Sequence, residues 1–575
     1  MSAREHLRLP VGVVGRWLRS VRPQRRHVRH DAVAGLSCAV SNVPDGMATA
    51  ALVGVNPVYG LFANFAGPLA GGLSSSTRLM VIGTTSAAAL AAGSAVAGVD
   101  PADRPEALFL LTIVAGAAMI AAGLLKLGRY TRFVSHSVMM GFLTGIAVNI
   151  VAGQVPDLAG AEAEGSFALA KAFDVLTHPG RIDLASLLAG FVALVILFGL
   201  ARTRWTIVSP LAALVVPTAA VLLFSLDSVV RVSDTGEIPR GIPLPHLPDL
   251  RYTSFELIAG ALSVMVIVLV QGTGVAESAP NPDGSPSNPN RDFAAQGWAN
   301  VVSGLFRGQP VGGSVGATAL TVTAGARTRW GPIFAGLWML VILVAFSRVV
   351  GMVIMPTLAA VLVYAAVGSI RPREIRTILS AGRISQIALI TTFAVTLVVP
   401  VAVAVGIGIA LSLLLQLNRE AVDLAVVELV PEGDRTWTER PAPRTLASHH
   451  VTVMDVYGSL FYAGARTLQA RLPDPAGSES PVVVLRLRGR TSLGATFFMV
   501  ISEYAQRLAR VGGRLYLSGL DHAMADRLRR TGGVDVSGPV RAYEAVATIG
   551  ESTEAAYLDA TAWVVRHPGG RRPPP

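Results

Sequence analysis

The chain has 575 residues, a net charge of +11, 52% apolar residues and only 15% charged ones, against about 25% charged in an ordinary soluble domain. Apolar runs of about 20 residues, the length that crosses a roughly 30 Å hydrocarbon core, recur from about residue 31 to about residue 418, which excludes a soluble or singly anchored enzyme. The positive charge does not indicate nucleic acid: the basic residues are Arg almost throughout, with Lys only at Lys126 and Lys171, so their placement carries more information than their number.

Residues 1–30 hold Arg4, Arg8, Arg16, Arg19, Arg22, Arg25, Arg26 and Arg29 and lack the apolar core and small-residue cleavage site of a secretory signal. They read as a retained, basic cytoplasmic N-terminus. From there the Lys/Arg excess that marks cytoplasmic loops alternates along the chain. It falls at Lys126, Arg129 and Arg132, at Arg202 and Arg204, at Arg327 and Arg329, and at Arg371, Arg373 and Arg376. The loops Asp100 to Glu106, Asp157 to Glu164 and the Pro/Gly-rich Asp227 to Tyr252 fall outside. The expectation is a mainly α membrane protein with fourteen spans over residues 31–420, an inner (plasma) membrane location and both termini in the cytoplasm. The single cysteine, Cys38 in the first apolar span, permits no internal disulfide and reads as a small buried hydrophobe.

Two spans, near 79–98 and 311–327, are interrupted. One reads Leu79-Met-Val-Ile-Gly-Thr-Thr-Ser-Ala87 and the other Gln309-Pro-Val-Gly-Gly-Ser-Val-Gly-Ala-Thr318. Each follows a similar tag, Gly71-Gly72-Leu73 or Ser303-Gly304-Leu305. Seven spans per half make the second half (about 253–420) inverted relative to the first (about 31–227), and paired interrupted segments at matching places point to a binding site at the repeat interface. A half-helix that starts inside the bilayer aims unpaired N–H groups and about half a positive charge at the space before it, so two facing ends suit an anion without any arginine. The alternative is that Gly, Ser and Thr only allow close helix packing.

Asp31-Ala-Val-Ala-Gly35-Leu36, Pro44 and Gly54-Val-Asn-Pro-Val-Tyr-Gly-Leu61 resemble the opening of a SulP (sulfate permease) transporter. Val302-Ser-Gly-Leu305, Pro310, Gly313, Thr318-Ala319 and Gly325-Ala-Arg-Thr328 resemble that family's second half. The resemblance implies fourteen spans in a 7+7 inverted repeat with core and gate domains, an elevator-like movement and a homodimer. It also implies a small anion (sulfate, bicarbonate or similar) held between Thr84, Thr85, Ser86 and Ala87 on one side and Gly313, Ser314, Val315, Gly316, Ala317 and Thr318 on the other.

Three positions depart from the family pattern. Asp45 stands where many members have Gln, Gln271 where many have Glu, and Ala317 where several have Arg. Asp45 lies fourteen residues beyond Asp31, about 21 Å along an ideal helix, and a charge buried at that depth costs on the order of 3 kcal/mol. An ionised Asp45 would also repel an anion. The consistent expectation is that Asp45, with Thr49, takes a proton or a sodium ion and couples its entry to that of the anion; the alternative is a carboxylate in a water-filled crevice or capping a helix broken after Pro44. Gln271 is a candidate amide donor to the anion or a helix-packing residue. Beyond a possible sodium ion no cofactor is expected: His449-His450 has no metal-ligand spacing around it, and no P-loop is present.

Residues 421–445 read as a polar linker. Over 446–552 the periodicity changes to that of a small α/β domain: strands at Val451–Val456, Pro481–Leu485 and Arg514–Leu520, a helix with Phe497, Val500, Ile501, Tyr504 and Leu508 on one face, and a second helix from about His522 to Arg530. This resembles the STAS (sulfate transporter and anti-sigma antagonist) domain, which implies a contact with the membrane domain or with a cytoplasmic protein. Gly494-Ala495-Thr496 matches the phosphorylatable turn of soluble relatives, and Ala495 cannot accept a phosphate. The tail 566–575 is expected to be disordered. Two other readings stay open: a membrane anion sensor that signals through the STAS domain without transport, and a transporter of a neutral or nucleobase-like substrate.

Overall fold

A computed structural model describes residues 21–23, 25–128, 135–165, 167–203, 205, 208–235, 243–422, 424–432, 436–458, 460, 462–489, 494–531 and 539–567. The arginines from Arg4 to Arg19, Arg129, Arg132 and Arg204, and the tail beyond His567, lie outside the described residues. Two compact units, Met1–Ser412 and Leu413–Pro575, are taken in turn.

The first unit opens with α1 (Val28–Val53), whose end at Gly54 turns left-handed (φ 82°), and α2 (Val58–Ser74), bent back by 120°. The helix does not break after Pro44. It runs through to Val53, because a proline removes one backbone hydrogen bond and a helix packed among neighbours tolerates that loss. The chain then drops into a three-residue strand, β1 (Ile82–Thr84), and a short helix, α3 (Ser86–Val96). It continues through α4 (Arg104–Leu124), α5 (His136–Gly153), the short α6 (Val155–Ala159) and α7 (Ala168–Thr177), α8 (Leu184–Leu200) and α9 (Ser209–Leu223). The second half repeats this order: α10 (Phe255–Ser278), α11 (Pro289–Leu305), β2 (Val311–Gly313), α12 (Val315–Thr323), α13 (Trp330–Met352), α14 (Met355–Ser369), the short α15 (Pro372–Ser380), α16 (Arg383–Val398) and α17 (Val401–Val422).

By length and composition four stretches can cross a membrane, Arg104–Leu124, His136–Ala159, Phe255–Ser278 and Met355–Ser380, and the bent α1–α2 pair passes the same test together. Shorter apolar helices include α3, α8, α9 and α16. Within this unit α1–α4 pack with α10–α13, while α5, α8, α9, α14 and α16 pack among themselves; α1 meets the second group at α9 and α14, and α3 meets it at α5.

Backbone approaches too close for any side chain hold the first group together. A Cβ on Gly60 would stand 1.7 Å from the Gly46 carbonyl oxygen, so α1 and α2 touch main chain to main chain. Gly116 on α4 and Gly297 on α11 each place the other's carbonyl oxygen 2.6 Å from a Cβ position. Small residues of this kind let helices meet where burial from water supplies little drive.

Two carboxylates tie the helix ends. Asp31, 1% exposed, accepts from the Arg327 and Thr328 N–H groups (2.8 and 3.2 Å) and the Thr328 hydroxyl (2.5 Å), fixing the turn before α13. Asp292 accepts from Ser75, Ser76 and Thr77 through N–H and hydroxyl groups at 2.6 to 3.1 Å. Arg329 donates to the carbonyls of Gly72 and Leu73 (3.2 and 3.3 Å), capping the C-terminal end of α2.

The second unit is a six-stranded sheet in the order β4-β3-β5-β6-β7-β8. The segment 421–445, expected to be a linker, instead carries β3 (Ala425–Glu432) and β4 (Thr436–Pro441), paired antiparallel to each other and, through β3, to β5 (Val451–Tyr457). The run Ala425-Val-Val-Glu-Leu-Val430 in β3 is apolar enough for a strand, and the exposed β4 carries few apolar side chains, as an edge strand needs few. β5, β6 (Val482–Arg486), β7 (Arg514–Leu520) and β8 (Val540–Glu544) are parallel. Helices α18 (Tyr462–Arg471), α19 (Ala495–Arg510), α20 (His522–Thr531) and α21 (Glu551–Arg566) complete it, so the fold extends past residue 552. Phe497, Val500, Ile501, Tyr504 and Leu508 form the buried face of α19. The Tyr504 hydroxyl donates to the Pro473 carbonyl at 2.9 Å, and burial raises its pKa.

Gly60→Ala should abolish the monodisperse full-length protein in fluorescence-detected size-exclusion chromatography. Gly199→Ala, whose Cβ position meets nothing within 4 Å, should leave it unchanged. Leu517→Ala in buried β7 should destabilise the second unit by about 2–5 kcal/mol, read as a lower urea midpoint for that unit's unfolding.

Candidate functional site

A membrane-spanning bundle has no water to satisfy stray backbone groups, so a break in a helix requires specific partners. β1 and β2 satisfy each other. They pair antiparallel, with Ile82 opposite Gly313, Gly83 opposite Gly312 and Thr84 opposite Val311. Buried side-chain amides take most of what the short ladder leaves over. Asn64 Oδ1 on α2 accepts from the Thr84 N–H (2.9 Å), Gln296 Oε1 on α11 from Gly313 (3.0 Å), and Asn300 Oδ1 from Val311 (2.9 Å). Asn300 also donates to the Val311 carbonyl at 2.7 Å. Thr318 Oγ1 accepts from Val81, and the Ser314 N–H donates to the Val81 carbonyl, both at 3.0 Å.

Each strand hands over to a half-helix with a hydroxyl cap. Thr85 accepts from Ala88 and Ser314 from Ala317, both at 3.3 Å, as N-cap residues do. The remaining N–H groups of each first turn have no acceptor within their own helix. The strands that precede them pair antiparallel, with Thr84 opposite Val311 and Ile82 opposite Gly313, so the two half-helices leave opposite ends of one three-residue ladder.

The expected site residues divide into two sets. Thr85, Ser86, Gln271, Ser314, Val315 and Gly316 are partly or fully exposed, and a Cβ on Gly316 would meet nothing within 4 Å. Gln271 reaches the cap, accepting from the Thr85 hydroxyl at 3.3 Å. Thr84, Ala87, Gly313, Ala317 and Thr318 are buried and act as frame: the Ala317 methyl packs with Cys38, Val81 and Ala335, and the Thr318 hydroxyl is engaged by Val81. Asp45 sits beside the strand pair, its Oδ2 accepting a long bond from Thr84 Oγ1 at 3.4 Å. Thr49, 0% exposed, donates to the Asp45 or Gly46 carbonyl (2.8 and 2.9 Å) and accepts from Gln309 Nε2 at 2.7 Å.

None of these residues is positively charged, so favourable charge for an anion comes from N–H groups and helix ends. Sequence reasoning missed Asn64, Gln296, Asn300 and Gln309. For the first three the available signal was a carboxamide inside a buried helix, where each polar group needs a named partner; Gln309 lies in the loop before β2.

A family model described as the sulfate permease family matches residues 28–395, and one described as the STAS domain matches residues 442–548. A relative from Bacillus subtilis (strain 168), the putative sulfate transporter YvdB, is 26% identical over 512 residues, covering 87% of this chain and 93% of its own. Among solved structures, the murine solute carrier 26 family member A9 anion transporter in the inward-facing state superposes with a TM-score of 0.82 at 15% identity, covering 97% of this chain and 96% of that one. The transmembrane domain of the cyanobacterial bicarbonate transporter BicA does so with a TM-score of 0.59 at 19% identity, covering 68% of this chain and 98% of that one. With a sulfate permease unit matched over more than half its length and a STAS domain behind it, the chain belongs to the sulfate permease family.

Proposed function

We propose that this protein is a secondary transporter of small anions, sulfate and bicarbonate being the first candidates, in the inner membrane. The observation that carries the reading is the pair of half-helices, Ser86–Val96 and Val315–Thr323, capped by the Thr85 and Ser314 hydroxyls and joined through the paired strands β1 and β2. Their N–H groups and dipoles suit a partly dehydrated oxyanion, and the open position at Gly316 and the half-buried Ser314 and Thr85 give it room.

The matching order of elements in the two halves supports fourteen spans in a 7+7 inverted repeat with both termini in the cytoplasm. The separate packing of α1–α4 with α10–α13, against α5, α8, α9, α14 and α16, supports a core that carries the site past a gate in an elevator-like movement. The half-helices are unequally covered. Val315, Gly316, Ala319, Val322 and Thr323 on α12 are exposed, whereas most of α3 is buried. This supports access from the α12 side, the cytoplasmic one in the assigned topology.

Asp45 is the proposed coupling residue. Among the described residues it has no ion-pair partner, and its carboxylate faces the strand pair that supports the anion site. A proton or a sodium ion on Asp45 would remove the repulsion of an incoming anion, making the two bind together. The STAS domain is proposed to contact a cytoplasmic protein, and the transporter to work as a homodimer.

Radiolabelled sulfate and bicarbonate in proteoliposomes, with and without proton and sodium gradients, test the reading. Gradient-driven accumulation is expected, with Asp45→Asn removing its dependence on the gradient and Gly316→Leu reducing uptake to that of protein-free vesicles. Anion binding without flux would mark a sensor and end the transport reading. In a Cys38→Ala background, Ala319→Cys should react with a membrane-impermeant maleimide from the cytoplasmic side, and Ala91→Cys, 1% exposed, should not.

A further inference from the structure

We propose that Gln309 supplies an oxygen to a sodium-ion site shared with Asp45 and Thr49; this rests on the coupling role of Asp45 put forward above and deepens it. Gln309 is 0% exposed, and its Oε1 is buried with no hydrogen-bond partner. The orientation of its amide is decided by its neighbour. The Thr49 hydroxyl hydrogen is directed to a backbone carbonyl of α1, Asp45 at 2.8 Å or Gly46 at 2.9 Å, so towards Gln309 this oxygen can only accept. Nε2 therefore faces Thr49 at 2.7 Å, and the carbonyl oxygen is the atom left over.

The backbone that carries this side chain is fixed on either side. The Gln309 backbone carbonyl accepts from Ser303 Oγ at 2.8 Å, and Pro310 and β2 follow directly. Asp45 lies one helical turn from Thr49, a spacing that places the two Cβ atoms about 6 Å apart. Its carboxylate has only the 3.4 Å contact from Thr84 and, among the described residues, no cationic partner.

The Thr49 hydroxyl has a second lone pair beyond the one used by Gln309. The locality thus offers a carboxylate without a counter-ion, a hydroxyl oxygen and an orphaned amide oxygen, the last two linked by the Gln309–Thr49 bond and the first one helical turn away on α1. A proton on Asp45 satisfies the carboxylate and leaves Gln309 Oε1 unpaired. A small hard cation, which takes carboxylate, hydroxyl and carbonyl oxygens together, satisfies all three. Because Gln309 precedes β2 and Asp45 lies against β1, such an ion would join α1 to both strands that position the half-helix ends.

The test uses the purified full-length protein and sodium as the probe, titrating NaCl against choline chloride at constant ionic strength and pH while thermal stability is read. The wild type is expected to show a saturable, sodium-specific rise in melting temperature that Asp45→Asn removes. Gln309→Met, which keeps length and loses the oxygen, should raise the half-saturating sodium concentration by about tenfold or more; a value within about twofold of the wild type, or no saturable sodium effect in the wild type, overturns the proposal. Should Gln309→Met not fold, Gln309→Glu retains an oxygen and is expected to bind sodium at least as tightly as the wild type, and its failure to bind would overturn the site. Sulfate accumulation driven by a proton gradient alone, lost in Asp45→Asn and untouched in Gln309→Met, would leave the coupling role of Asp45 standing and overturn the sodium site. Unchanged coupling in Asp45→Asn would remove both.

Discussion

A main chain that stops being helical inside an apolar bundle must find a partner for each exposed N–H and carbonyl group. Here six residues from the two halves, Ile82–Thr84 and Val311–Gly313, meet that requirement by pairing with one another. The ladder is too short to close on itself, and the side-chain amides of Asn64, Gln296 and Asn300 complete it. The position of both half-helices follows from this pairing, since each begins one residue beyond its strand. With the caps at Thr85 and Ser314 also in place, a polar helix start stands at each end of the ladder without a cationic side chain beside it.

The surrounding helices are held in a way that suits a body moving as a unit. Gly46 against Gly60 and Gly116 against Gly297 leave no room for side chains between helices, and Asp31, Asp292 and Arg329 fasten the helix ends through several hydrogen bonds each. Such contacts resist relative displacement of the helices that make them. The packing of α1 on α9 and α14 has no corresponding pair of interlocked glycines in α1: Gly35 meets α13 and Gly46 meets α2. Rigid attachment within one group of helices and plainer side-chain packing between groups is the mechanical arrangement a carrier of the proposed kind needs.

Polar residues within this bundle serve two purposes that composition does not separate. Asn64 and Thr318 hold backbone groups and are buried; Thr85, Ser314 and Gln271 keep part of their surface open. Thr318 and Ser314 stand four residues apart on or before the same short helix, yet one is turned into the frame and the other to the space before it. The same contrast separates Ala317, packed on Cys38 and Ala335, from its neighbour Gly316. An arginine at position 317 would have to leave that apolar cluster to reach the anion, so its absence here is compatible with the tight packing observed.

Much of this architecture was written in local pattern. Apolar runs and the alternation of Arg-bearing loops locate the membrane unit, because insertion depends on short stretches of sequence. The matching Gly-Ser-Thr interruptions mark the paired segments, because glycine and hydroxyl residues are what a strand-to-helix turn in lipid requires. In the second unit the strands at Val451, Pro481 and Arg514 and the helices at Phe497 and His522 were equally legible from their periodicity, whereas helix Tyr462–Arg471 and strand Val540–Glu544 were not. Nor were β4 and helix Glu551–Arg566, whose largely exposed faces carry weak apolar patterns, or β3, whose apolar run Ala425–Val430 follows closely on an apolar helix. What tertiary structure alone decided is which polar side chain meets which backbone group. The bonds from Thr84 to Asn64, Gly313 to Gln296 and Gln309 to Thr49 join residues 20, 17 and 260 positions apart. A hydrogen bond depends on distance and direction in space, and spacing along the chain does not encode either between separate elements.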